Sequence, residues 1–122
     1  MSDTKPELKN RVYIYALDII RFIDTLPKND FSVQIIAKQL LRAGTSIGAN
    51  IIEAQAGSTK RDFTNFFSYA LKSANESKFW LGLLRDSGKS NKDKVNELLK
   101  ETTEIANILG SSILTLKGKK RL

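Results

Sequence analysis

The chain has 122 residues, 41% of them apolar and 27% charged, which fits one globular domain and excludes an intrinsically disordered chain. It has no cysteine, so disulfides and thiolate metal sites are excluded, and no histidine, which removes the commonest general base and metal ligand. The formal charge is +7, from 20 basic and 13 acidic side chains, and six of the seven excess charges fall in residues 59–122.

That excess reads in two ways: as charge for solubility, or as the footprint of an anionic partner, most often nucleic acid. No apolar run approaches the ~20 residues that span a bilayer, and no signal peptide is read at the start. With cysteine absent, the expectation is a soluble cytoplasmic protein that engages no membrane.

The first helix is predicted over residues 5–26. Thr4 with Glu7 fits a capping box, and Pro6 is tolerated in the first turn. Leu8, Val12, Tyr15, Ile19, Phe22 and Leu26 form its seam, widened by Tyr13, Ile20 and Ile23. Pro27 ends it by restricting Leu26.

The second helix is predicted over 32–56, with Ser32 as N-cap, Phe31 and Ile36 as a hydrophobic staple, and Gly57 at C′. Its seam is Val33, Ala37, Leu40, Gly44, Ile47, Ile51 and Ala54, in steps of four and three. The small residues in it let a neighbouring backbone come close. Thr59 with Asp62 caps the third helix, 60–87, at once, so the two form a tight hairpin. Phe63, Phe67, Ala70, Ala74, Ser77, Leu81 and Leu84 repeat the seam, and Gly88 ends it. Ser90 with Asp93 caps the fourth helix, 91–117, carried by Val95, Leu98, Thr102, Ile105, Leu109 and Leu116. Residues 118–122 are a short basic tail. The whole reads as a single all-α domain, an antiparallel up-down-up-down four-helix bundle. Phe66, Phe79, Trp80 and Leu83 exceed what one seam of the third helix needs, which implies a second buried face and self-association.

On the second helix Gln39, Arg42, Ser46, Asn50 and Glu53 lie three or four residues apart and make one polar ridge. With Ser73 and Glu76 they are read as a structural polar cluster that fixes register or a subunit interface. Glu53 and Glu76 are the carboxylates to weigh for a hydrated Mg²⁺, but no metal or other cofactor is expected. Catalysis is not expected either. GTSIG and AGSTK lack the spacing of a phosphate-binding loop, and Ser46, Ser58 and Ser73 have no evident base. Candidate nucleic-acid contacts are Lys60, Arg61, Lys72, Lys78, Arg85, Lys117, Lys119, Lys120 and Arg121. Trp80 and Tyr69 read as core or interface before they read as base-stacking rings.

The segment QLLRAGTSIGANIIEA, residues 39–54, resembles the pattern of a bacterial four-helix-bundle family, the 23S rRNA intervening-sequence proteins, also labelled "S23 ribosomal protein". That family includes the accessory variability determinants of diversity-generating retroelements. Gln39, Leu40, Arg42, Ala43, Ser46, Ile47, Ala49, Asn50, Ile51 and Glu53 carry the match, and Phe63, Phe66, Ala70, Ser73 and Glu76 match the next block. Ala54 and Lys72 stand where the family usually has Gly. The resemblance spans about Leu8 to Leu116 and implies a ring-like homopentamer. Retroelement members bind nucleic acid and a reverse transcriptase, so RNA, DNA and a reverse transcriptase are the partners it implies. The expectation is a non-enzymatic, basic, homo-oligomeric nucleic-acid-binding accessory protein. The alternative is a structural or protein-interaction bundle whose charge is incidental.

Overall fold

The computed structural model describes residues 4–118, with side chains from Leu8 onward. Four helices and, among the described residues, no strand make up the fold: α1 (Thr4–Asp24), α2 (Phe31–Ala56), α3 (Lys60–Asp86) and α4 (Lys92–Leu116). None is long and apolar enough to cross a membrane. The helices are about 30–40 Å long at 1.5 Å per residue, far longer than connections of three to six residues can retrace. Consecutive helices therefore run antiparallel, and each packs against its two neighbours around a ring. The cross-helix contacts agree. Ile19 faces Gly44 while Val12 faces Gly48, and Leu8 near the start of α1 lines one groove with Ile108 and Leu116 from the second half of α4.

The predicted seams are the core. All six seam residues of α1 and all seven of α2 are buried. Six of the seven on α3 are buried as well, with Phe63 half-buried at the open end. On α4, Ile113 takes the buried position near the C-terminus, and Leu116 is only half-buried. The contact between α2 and α3 is the most extensive and that between α1 and α4 the least. Ala37, Ala43, Ala54, Ala70 and Ala74 keep the α2–α3 side chains short, so these two helices approach most closely over their length.

The helix ends differ from the sequence reading in four places. α1 stops at Asp24, where Thr25 and Leu26 turn back to bond the carbonyls of Phe22 and Ile23; Leu26 stays buried without being helical. α2 is capped by Asp30, not Ser32. The Asp30 carboxylate accepts from the Val33 amide at 3.1 Å, from the Ser32 hydroxyl and from Lys89, which holds it below the usual carboxylate range. That shifts the helix start to Phe31, whose ring is 82% exposed and makes no staple. α4 is capped by Asn91, which accepts from the Lys94 amide, while the Ser90 hydroxyl donates instead to the Leu84 carbonyl at the end of α3. Gly57 has φ −68°, so it is not a left-handed C′ residue. A Cβ there would lie 3.3 Å from both the Ala54 carbonyl and the Asp62 Cβ, and it is this close approach that asks for glycine. Thr59 caps α3 as expected, accepting from the Asp62 amide, and Gly88 at φ +74° lets the chain leave α3. The Thr4–Glu7 capping box involves side chains outside the described residues.

Candidate functional site

The cations fall into two groups. Arg11 donates to both oxygens of Glu101 at 3.0 and 2.6 Å and to Glu104 at 2.8 Å, which raises its pKa further. Arg21, Lys89 and Lys94 face Asp18, Asp30 and Glu97. Among the candidate contacts Arg85 belongs with these, engaged by Asp86 at 2.8 Å and by Asn96 at 3.0 Å. Lys60, Arg61 and Lys72 are exposed and Lys78 is half-buried; none has a carboxylate within ion-pair distance among the described residues. Lys38 and Arg42 of α2 share that condition; sequence reasoning passed over Lys38 and placed Arg42 only in the polar ridge. Their spacing of four, which puts both on one strip, was the available signal. Lys60 and Arg61 also sit in the first turn of α3, where the helix dipole disfavours positive charge by about 0.3–1 kcal/mol. Lys117 is the C-cap residue of α4, and Lys119, Lys120 and Arg121 lie outside the described residues.

The seven residues of the polar cluster do not meet at one point. Arg42 donates to Gln39 at 3.1 Å, Ser46 to the Arg42 carbonyl at 2.7 Å, and Asn50 to the Ser46 carbonyl at 2.9 Å, all within α2. Glu53 is three residues from the end of α2, whereas Glu76 is sixteen residues into α3. Along an antiparallel pair at 1.5 Å per residue this separates them by about 20 Å, so they cannot share an ion. No group of three acidic side chains that could hold a metal occurs among the described residues. Ser73 and Glu76 instead line an open groove on the outer face of α3, about 600 Å³ in volume, with Tyr69, Lys72, Asn75, Phe79 and Trp80. Phe79 meets Trp80 edge-on at 4.9 Å, and Phe66 meets Tyr69 in the same way at 5.8 Å. Phe66 and Trp80 also pack against the core, so part of the aromatic surplus of α3 is absorbed within the chain.

A second apolar surface lies along the α1–α2 flank. Ile19 opposes Gly44 and Val12 opposes Gly48, which places Ile20 beside Leu41 and brings Tyr13 to the stretch of α2 leading to Ile52. These four are 40–66% exposed. A further groove of about 590 Å³ opens at one end of the bundle between Leu8, Phe63, Phe67, Ile108 and Leu116.

The buried polar layer is elsewhere. Tyr15, Ser77 and Thr102, each at most 1% exposed, come from α1, α3 and α4. The Thr102 hydroxyl donates to the Leu98 carbonyl at 2.6 Å. It therefore accepts from the Tyr15 hydroxyl, also at 2.6 Å, and Ser77 lies beside it while donating to the Ser73 carbonyl. Burial pushes the Tyr15 pKa up to about 12, against the smaller opposing effect of these hydroxyls. Sequence reasoning put all three in the seams but did not see that they meet.

The fold is an antiparallel four-helix bundle with two uncovered apolar surfaces and, among the described residues, cations without carboxylate partners on the α2–α3 hairpin. The model of the 23S rRNA-intervening sequence protein family matches residues 6–111, and the chain belongs to that family. It is similar to the crystal structure, at 1.70 Å resolution, of a protein with unknown function from the S23 ribosomal protein family from Bacteroides thetaiotaomicron VPI-5482. The two are 34% identical with a TM-score of 0.84, and the match covers 91% of this chain and 98% of that one. No functionally curated protein matches the chain.

Proposed function

We propose that the chain is a non-enzymatic accessory protein that self-associates, as a homopentamer, and binds RNA or DNA through the α2–α3 side of the bundle. The observation that carries this reading is that six cations without a carboxylate partner among the described residues, Lys38, Arg42, Lys60, Arg61, Lys72 and Lys78, lie on one hairpin, against Lys9, Lys92 and Lys100 on the other two helices. α2 and α3 carry seven basic residues against four acidic ones, so the side is positive as a whole. Their repetition in an assembly strengthens the field: five copies at +7 each carry +35. Support for assembly is the α1–α2 flank, where Tyr13, Ile20, Leu41 and Ile52 are exposed without an intervening charge, as in the core of an interface. In a cytoplasmic setting, a reverse transcriptase encoded nearby is the protein partner to look for.

The test pairs light scattering with titrations of fluorescent RNA and DNA at about 50 and 200 mM salt. Six phosphate contacts on a duplex give a log–log slope of about −5 and a loss of about a thousandfold over that range. Lys38→Glu with Arg61→Glu should weaken binding and flatten the slope while the mass stays near five chains. A monomer at tens of micromolar removes the assembly from the proposal. Absence of binding at the lower salt leaves the protein-interaction bundle as the better reading, with the uncharged α1–α2 flank as its contact surface.

A further inference from the structure

We infer that the outer groove of α3 between Tyr69 and Trp80 is a stacking site for the bases of a single-stranded nucleic acid. The inference rests on the nucleic-acid reading above and assigns it a place and a strand form. Tyr69 is 49% and Phe79 58% exposed, so both present ring surface to solvent, while Trp80 packs inward on the core and closes the groove wall. Unpaired bases stack on such rings without regard to sequence. In a duplex the base faces are stacked on one another and cannot reach the outer face of a helix. The rings are spread over ten to eleven residues of α3, about 15 Å, enough for two or three nucleotides of an extended strand.

The polar members of the groove suit the same ligand. The Lys72 ammonium has no carboxylate partner among the described residues and is available to a phosphate. The Asn75 amide and the Glu76 carboxylate offer donors and acceptors to base edges, and the carboxylate turns phosphates toward Lys72. A second copy of the chain fits less well here. Interface cores are depleted in charge, and this groove carries Lys72 and Glu76, whereas the residues between Tyr13 and Ile20 and between Leu41 and Ile52 on the α1–α2 flank, Ala16, Leu17, Thr45 and Gly48, are uncharged.

Trp80 is the chain's one tryptophan, so its fluorescence reports on the groove directly. The wild-type protein is titrated with a single-stranded oligonucleotide of about ten nucleotides, within the range of single-strand site sizes, and with the duplex of the same sequence. Quenching by the single strand and not by the duplex is expected. Tyr69→Ala and Phe79→Ala remove exposed rings without opening the core, and each should weaken single-strand binding about tenfold while leaving duplex binding and mass unchanged. Equal binding of both forms, with Trp80 fluorescence unmoved and the variants like wild type, overturns the inference and leaves the electrostatic reading standing. A fall in mass in either variant overturns it too, because the groove is then a contact between copies. Loss of binding to both forms in the wild type overturns the parent reading itself.

Discussion

Replacing Ser77 by Ala and Thr102 by Val together should destabilise the bundle by about 1–3 kcal/mol, and adding Tyr15→Phe should restore most of that loss. The double variant leaves the Tyr15 hydroxyl buried with neither neighbouring hydroxyl to bond. The triple variant removes the orphan. The Ser73 and Leu98 carbonyls lose a side-chain donor each but keep their places in the helical ladder. Thr102→Val alone should cost less, since Ser77 can still accept from Tyr15. Urea midpoints for the four proteins decide the matter, and a triple variant less stable than the double one refutes the account. The same layer predicts a pH window. The folded-state pKa of Tyr15 is raised from 10.0 to about 12, so its stabilising effect is complete below pH 10 and is lost as pH rises toward 12. Two pKa units correspond to about 2.7 kcal/mol. Lysines titrate in the same range, so the quantity to measure is the difference between wild type and Tyr15→Phe. Identical alkaline loss in both would show that Tyr15 does not titrate as argued.

Two glycine substitutions should have opposite signs. A Cβ on Gly44 would lie 3.1 and 3.2 Å from the two γ-carbons of Ile19 and 3.6 Å from its Cβ. Both branches of Ile19 lie against the glycine, so its side chain must give way by a few tenths of an ångström, and its complete burial resists that. Overpacking of this kind costs about 1–3 kcal/mol, against about 1 kcal/mol gained from alanine's helix propensity. Gly44→Ala should therefore destabilise. Gly82 and Gly110 lie inside α3 and α4 with nothing within 4 Å of the point an alanine methyl would occupy, and alanine there should stabilise by up to about 1 kcal/mol each. Thermal midpoints measured at one protein concentration give the signs. A stabilised Gly44→Ala would mean that α1 is free to shift.

Most of the core was legible because its period is strict. Steps of four and three named the buried residues of α1, α2 and α3 almost without exception, since burial against neighbouring helices is what that spacing records. The pattern was lost on α4 between Leu109 and Leu116, where the buried Ile113 was not assigned to the seam. Caps were read less well. Asp30 and Asn91 stand next to Ser32 and Ser90, all are good capping residues, and the choice was made by Lys89 and the Leu84 carbonyl, tertiary partners that local spacing cannot show. The candidate surfaces were legible in kind but not in place. Composition revealed the cations; only packing distinguishes Arg85, engaged by Asp86, from Lys72, which is not. Surplus aromatic residues on α3 suggested a second covered face; Phe66 and Trp80 pack inward in part, Tyr69, Phe79 and Leu83 stay exposed, and a further exposed apolar strip lies on the α1–α2 flank.

The regularity of the inner seams constrains the exterior. An ideal α-helix turns 3.6 residues per cycle, so a seam repeating every seven residues drifts by about 20° per heptad unless the helices wind about one another with a left hand. Val33 to Ala54 and Phe63 to Leu84 each hold the repeat for three heptads, about 60° of winding in all. Strips at fixed offsets from the seams wind with them. The line from Lys38 and Arg42, and the aromatic line of α3, are thus gentle spirals. A flexible strand can follow such a path over its whole length. A straight rod can touch it only where the two cross.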